Sequence, residues 1–425
     1  VPVWHEKTRA LRESGDLVVI GITQEQHPDR CRLFAQWQGI DWPILWDPFN
    51  LTNSSAVPVI LAVDEAGVIR PGRLDVRRFE EQFEQDWMSS APAETRRAAS
   101  RPYPHIAPPS EGAGPETKIS SAQVAMSRLL WSRTNGEAPM DAATYEEVLK
   151  TLDQAARAPD ADPALAFQHG VALRMRYDSE ARQPGDFQRA LDAWMTALMR
   201  RPSQYIWRRR IQQWGPRLDK PYPFYDWVEE AQQTLRSHGQ QPFPISVALS
   251  GAEVATGSKE IPLRSAEDTH PDPTAALKRD PGKLVTLETA VCLHTGVTSK
   301  RVREPIGSSR IHLILRPAAG AHFEPAAGPA KIWIEVPKGW DTPRQLLTAS
   351  SPSDPEAALG AEFEVRPPAP DLQGPPPPPT LPASIRGTAF YFVCEDEHGE
   401  CQFLAQDFEV VVRAPDVVEE TGDGE

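Results

Sequence analysis

Apolar and polar positions along the chain follow first a mixed, then a helical, then an alternating period, and each predicts its own kind of element. Residues 3–14 (VWHEKTRALRES) set Val3, Lys7 and Leu11 against Trp4 and Thr8 at helical spacing, with Gly15 where a helix should stop. The run 17–23 (LVVIGIT) is continuously apolar and largely β-branched, as expected of a strand buried on both faces. A helix over about 27–38 follows, then a short strand in WPILWD (42–47). Two strands are expected around the turn Asp64-Glu65-Ala66-Gly67 within 57–70, and a helix closing near Trp87. Alternating helix and strand with a terminal hairpin predicts an α/β layer over 1–88.

Residues 89–118 are rich in Ala, Pro, Ser and Gly and have little periodicity, the profile of a linker. The pattern is helical over 119–237. There ALAFQHGVALRMRY, a break at Gln183-Pro184-Gly185, and DFQRALDAWMTALMRRP resemble one tetratricopeptide hairpin, with Gly170 at the small position of its first helix. Ala190, Trp194, Ala197 and Pro202 fill the Ala, aromatic, Ala and Pro positions of the second helix. A second spacer over 238–281 precedes KLVTLETAVCL, RIHLILRP, KIWIEVP, AEFEVRP, TAFYFVC and CQFLAQDFEVVVR. Short alternating strands separated by Pro, Gly and Asp predict a two-sheet sandwich over 282–415, with Pro375–Pro379 as an extended loop and 416–425 as an acidic tail. The fold class expected is multidomain, α/β followed by α and then β.

Composition narrows the function classes. A chain of 425 residues is too long for one core. A formal charge of −14 disfavours a grip on phosphate backbones, so no nucleic-acid partner is expected. The basic, aromatic stretch IWRRRIQQWGPRLDKPYPFYDWV (206–228) fits this reading, because Arg208, Arg209 and Arg210 are consecutive helix positions that point in different directions. No apolar run approaches the ~20 residues of a membrane span. The sequence opens on Val1 rather than Met, so a signal peptide, if the gene has one, is expected to be removed or to lie outside it.

The stretches LVVIGITQEQ, DWPILWDP and AVPVILAVDEAGVIR resemble, in order and spacing, the redoxin branch of the thioredoxin superfamily. That resemblance implies a truncated thioredoxin-like fold, in which Val57-Pro58 takes the place of the family's cis-proline and shapes a substrate site. The family's Cys-x-x-Cys is not in this sequence, and Pro2 falls where the family has a helix-kinking proline a few residues after the second cysteine. Either the redox motif lies just upstream of Val1 or the domain is a degenerate redoxin.

Four cysteines occur: Cys31, Cys292, Cys394 and Cys401. Cys31, in HPDRCRLF, is flanked by Arg30 and Arg32, which would favour a thiolate and suit a substitute peroxidatic thiol; the plainer reading is a helix-face cysteine with a structural role or none. Cys292 alternates with Val291 and Leu293 and reads as a small core hydrophobe. Cys394 and Cys401 are the candidate catalytic pair. They sit at the two stems of a hairpin whose turn contains His398 and Gly399, within disulfide reach of each other. Three readings remain open: a strand-stapling disulfide, an exchanging redox pair, and zinc held by Cys394, His398 and Cys401. Glu395, Asp396, Glu397 and Glu400 between the sulfurs would disfavour a thiolate.

The segment RIHLILRPAAGAHFEP, then KIWIEVPKGW and the closing Tyr-x-x-Cys hairpin, resembles the N-terminal periplasmic domain of DsbD. That resemblance implies an immunoglobulin-like sandwich with an exchangeable disulfide on the hairpin, in a periplasmic or other extracytoplasmic setting. Phosphate-loop, zincin and nucleophile-elbow motifs are missing from the sequence, and no cofactor or resident metal is expected. The expected function is thiol-disulfide exchange in a bacterial envelope, with protein thiols or disulfides as partners. The competing expectation is a non-catalytic adaptor whose helices bind a partner peptide.

Overall fold

A computed structural model describes residues 2–64, 69, 76–82, 120–134, 140–215, 225–247, 249, 273–293, 309–342, 344–349, 356–367, 382–395, 399 and 401–413. These fall into two units, Val1–Met140 with Trp227–Val247 and Asp141–Asp226 with Ala248–Glu425. Helix and antiparallel sheet are both present, and among the described residues no sheet closes into a barrel. Among them too, no helix is long and apolar enough to cross a membrane.

In the first unit α1 (Pro2–Glu13) opens on a proline, whose missing N–H costs nothing in a first turn, and stops before Gly15 at φ +81°. Strand β1 (Gly21–Thr23) pairs in parallel with β2 (Ile44–Trp46), and α2 (Pro28–Trp37) connects them. Parallel pairing needs such a crossover. The 17–23 run is therefore a strand only at its end. The expectation of burial on both faces is also corrected, since Val18, Ile20 and Ile22 are 76%, 55% and 52% exposed. Among the described residues the other face is covered by Phe79, in the single turn α3 (Phe79–Glu81), which packs with Trp4, Leu11, Leu17, Ile60 and Ala62.

Among the described residues, the hairpin within 57–70 is marked by an antiparallel bridge, Val63 with Ile69; its turn and the helix end at Trp87 lie outside them. Helix α4 (Ser121–Thr134) starts with a reciprocal capping box: Gln123 N–H donates to Ser120 Oγ and Ser120 N–H to Gln123 Oε1. Helix α9 (Trp227–Ser237) packs on α2 through Trp37 and Trp227, stacked at 5.9 Å. The chain after it is tied to α2. Gln36 bonds both Gln241 O and Phe243 N at 2.8 Å, and Asp29 accepts from Ser246.

In the second unit, side-chain caps start α5 (Ala142–Ala156) at Asp141, α6 (Pro163–Tyr177) at Asp162 and α8 (Tyr205–Gln212) at Gln204. Helices α6 and α7 (Asp186–Arg200) form a close hairpin. A Cβ on Gly170 would stand 2.6 Å from the Trp194 indole, so only glycine fits there. The fully buried Asp186 accepts two hydrogen bonds from Arg176, at 2.7 and 2.9 Å, and Arg176 also reaches Glu146, which ties α5, α6 and α7 together. Arg210 is buried against the rings of Phe167 and Trp194, whereas Arg208 and Arg209 lie beside Tyr205.

The strands of this unit form two antiparallel sheets. One joins β3 (Val285–Leu293), β4 (Ser309–Pro317) and β8 (Leu359–Val365). The other runs β10-β9-β6-β7, from β6 (Lys331–Glu335), β7 (Leu346–Thr348), β9 (Ala383–Glu395) and β10 (Cys401–Val412). Beyond the end of β6, the short β5 (Ala321–Phe323) pairs with the far part of β9. Inward residues of both sheets share one core, including Val285, Ile311, Ile332, Ile385 and Val393. On the other side of the three-stranded sheet, His312 Nε2 lies 2.7 Å from Trp214 O, and Gln188 brackets Val291, accepting from its N–H at 2.7 Å. The helices thus pack on the sheet within one unit.

Candidate functional site on the outer face of the β9–β10 hairpin

Alternation along β9 sends Ala389, Tyr391 and Val393 into the core and Phe390, Phe392 and Cys394 to the outer face. On β10, Leu404, Phe408 and Val410 point inward and Cys401 and Phe403 outward. Cys394 and Cys401 are direct register partners, and a disulfide joins them with their Cα atoms 4.0 Å apart. The bridge therefore lies on the outer face of the sheet. Beside it the partners Phe392 and Phe403 stack at 4.4 Å, with Phe403 exposed.

The two cysteines differ in access. Cys394 is 2% exposed, while Cys401 at the start of β10 is exposed. On its other side Cys394 is paired with His322 of β5, so His322, Cys394 and Cys401 form one row across three neighbouring strands. Residues directly opposite in antiparallel strands present their side chains to the same face. Glu324, two residues beyond His322, joins the row: one ligand atom each from His322, Glu324 and Cys394 lie within 4.8 Å of one another. Glu324 is fixed from both ends, its N–H donating to Phe392 O at 3.2 Å and its carboxylate accepting from Ala326 N at 2.9 Å. At the turn, Gly399 adopts φ +61° and donates to Glu395 O at 2.9 Å. Asp396, Glu397, His398 and Glu400 lie outside the described residues.

The other candidate residues belong to the first unit. The Val57-Pro58 bond is cis, and both residues are exposed. Cys31 is a half-buried free thiol on α2. Burial pushes its pKa up; a hydrogen bond with Thr23 and the charge of Arg32 oppose this, and Glu25 adds to it. The expectation that flanking arginines make it a thiolate is corrected, because desolvation is the largest effect. Cys292, in β3, is fully enclosed, and burial pushes its thiol up to about 12.

Sequence reasoning missed His322 and Glu324. Both stand in AHFEP, some seventy residues before Cys394, and only the β5–β9 register brings them to it. The one available signal was the alternation in that segment, which puts both residues on the face opposite Ala321 and Phe323. Comparison of the chain with protein-family models, with curated proteins and with solved structures gave no match.

Proposed function

We propose that this chain exchanges thiols and disulfides with protein partners through Cys394 and Cys401, in a bacterial extracytoplasmic compartment. The single observation that carries this reading is the unequal access of two bonded cysteines on the outer face of the sheet. A partner thiolate meets Cys401 first. Its sulfur forms a bond to Cys401 Sγ, the S–S bond breaks, and the electron pair leaves on Cys394 Sγ, which takes a proton. A second partner thiol then attacks the partner's own sulfur in the mixed disulfide, releasing Cys401 as a thiol and the partner as a disulfide. The acidic turn slows attack by small anionic thiolates and leaves selection to a partner that can dock on the hairpin.

The reading also draws on the resemblance of the sandwich to the DsbD N-terminal domain. The two-sheet core with the cysteine hairpin at one edge supports it. The redoxin-like reading of the first unit is supported by the parallel β1–β2 pair and the cis Val57-Pro58 bond. The Gly170–Trp194 contact supports the tetratricopeptide-like reading of α6 and α7, a surface for a peptide or protein partner.

The test is directional trapping. Cys394→Ser, retaining Cys401, should form a mixed disulfide with the disulfide form of a thioredoxin-type protein, its thiolate displacing one partner sulfur as a thiolate, at least about tenfold faster than Cys401→Ser, which retains the enclosed thiol. The native pair should titrate at a potential less negative than about −300 mV. Equal trapping rates, or a more negative potential, would identify a fixed staple between strands.

A further inference from the structure

We propose that the reduced Cys394 and Cys401, together with His322 and Glu324, form a four-ligand site for a divalent cation of zinc's chemical class. The proposal rests on the exchange reading above only in requiring that the disulfide open. Opening frees two thiolates beside an imidazole and a carboxylate, and these donors, two sulfurs, one nitrogen and one oxygen, are the types tetrahedral zinc takes. Thiolates select against calcium and magnesium, which favour all-oxygen shells.

The fold supplies the arrangement. His322, Cys394 and Cys401 come from three adjacent strands held in register by main-chain ladders. Glu324 is oriented by the Ala326 N–H, the kind of outer hydrogen bond that fixes a ligating carboxylate. Ligand bonds of roughly 2.0–2.3 Å set tetrahedral donors about 3.5 Å apart. From within 4.8 Å, the imidazole, carboxylate and Cys394 sulfur close that gap by side-chain rotation alone. Burial of Cys394 limits competition from water.

Oxidation state would then control occupancy. Two thiols of a partner reduce the disulfide and become a disulfide themselves; the two protein thiols then bind the cation and release two protons. In reverse, an acceptor disulfide takes two electrons from the bound thiolates, the Cys394–Cys401 bond re-forms, and the cation leaves. A resident reductant is not needed, since the exchanging partner supplies the electrons.

The experiment uses the full chain carrying Cys31→Ser and Cys292→Ala, so that only the hairpin thiols remain. A phosphine opens the disulfide without any protein partner, becoming a phosphine oxide, and thiol counting confirms two free thiols before the reagent is removed anaerobically. Titration with Co²⁺ should then give one equivalent showing the d–d and sulfur-to-metal bands of a tetrahedral thiolate site, and Zn²⁺ should displace it. The oxidised protein should give none. His322→Ala should weaken Zn²⁺ binding by about 100-fold or more, at least what loss of an outer partner costs. Glu324→Gln, which keeps an oxygen for the Ala326 N–H, should weaken it less. Absence of tetrahedral bands in the fully reduced chain, bands that survive His322→Ala at unchanged affinity, or a disulfide that resists the phosphine would each overturn the proposal. Directional trapping by the disulfide form of a thioredoxin-type protein is read separately, so exchange without cation binding removes this inference and leaves the proposed function standing.

Discussion

In the second unit, the sheets β10-β9-β6-β7 and β3-β4-β8 close on a shared interior where Val285, Ile311, Ile332 and Val393 lose all contact with water. In the first, the sheet is covered on one side around Phe79, and Val18, Ile20, Ile22, Leu45, Val59 and Leu61 stand more than half exposed. The two regions have similar strand sequences: LVVIGIT in one, KIWIE and RIHLILR in the other. A β-branched run states a preference for extended backbone, whereas burial depends on whether a second layer lies across it. The same contrast extends to cysteine. Cys292 sits under a closed layer, Cys31 on a helix beside an open one, and Cys394 and Cys401 on the outer face of a closed one.

The largest effect expected from this contrast is in thiol chemistry. At about pH 8, with its thiol pushed up to about 12, Cys292 should alkylate about a thousandfold more slowly than in the unfolded chain, from its thiolate fraction alone. Cys31 should fall between native Cys292 and an unfolded thiol, because burial raises it less completely. Mass spectrometry of timed iodoacetamide labelling resolves the two. Cys292 labelling as fast as Cys31 would mean that the helical layer at Ile211 and Gly215 does not close over β3.

Next in size is a matched pair of truncations. Leu313→Ala removes a side chain sealed in the sandwich and should cost about 3 kcal/mol, while Leu61→Ala on the exposed face should stay within about 0.5 kcal/mol. Hydrogen exchange of the β4 amides and of the β1–β2 amides, respectively, reads each change where it occurs. A loss at Leu61 comparable to that at Leu313 would show that the open face is covered in solution.

The smallest effect concerns pH. Burial lowers the pKa of His169 in α6, with Asp153 opposing it, so the folded chain holds this proton less tightly than the unfolded chain does. A group of this kind gives stability that is complete above its unfolded value of about 6.5 and declines as pH falls from there towards the depressed folded value. Urea midpoints over about pH 5 to 7.5 should therefore fall towards acid for the native chain, and His169→Gln should flatten part of that slope. An unchanged slope in the variant would place the titrating group elsewhere.

Much of the local structure was legible. Helical spacing with Gly15 as a stop located α1; Pro184-Gly185 located the break between α6 and α7; and alternation around a short turn located β9, β10 and the Cys394–Cys401 pairing. Each of these depends on neighbours within a few residues. The segment read as a spacer over 238–281 was less legible. Residues 241–246 bond to α2, and Asp280 donates its N–H to Ala405 O at 2.7 Å and accepts from the Tyr391 hydroxyl. Proline-rich, polar composition carries no record of hydrogen bonds made more than a hundred residues away.

The amino-acid sequence by itself determined where helices start and stop, which strand positions alternate, and that two cysteines face each other across one turn, because dihedral preference, capping and period act over a few residues. The tertiary structure decided which cysteine of the pair is enclosed, that the bridge lies outside the core rather than in it, and that His322 and Glu324 stand beside it. It also decided that β1 keeps an exposed face. These are matters of register and layering between distant segments. A one-residue shift of β5 against β9 would turn His322 to the core and leave the pattern of the sequence unchanged.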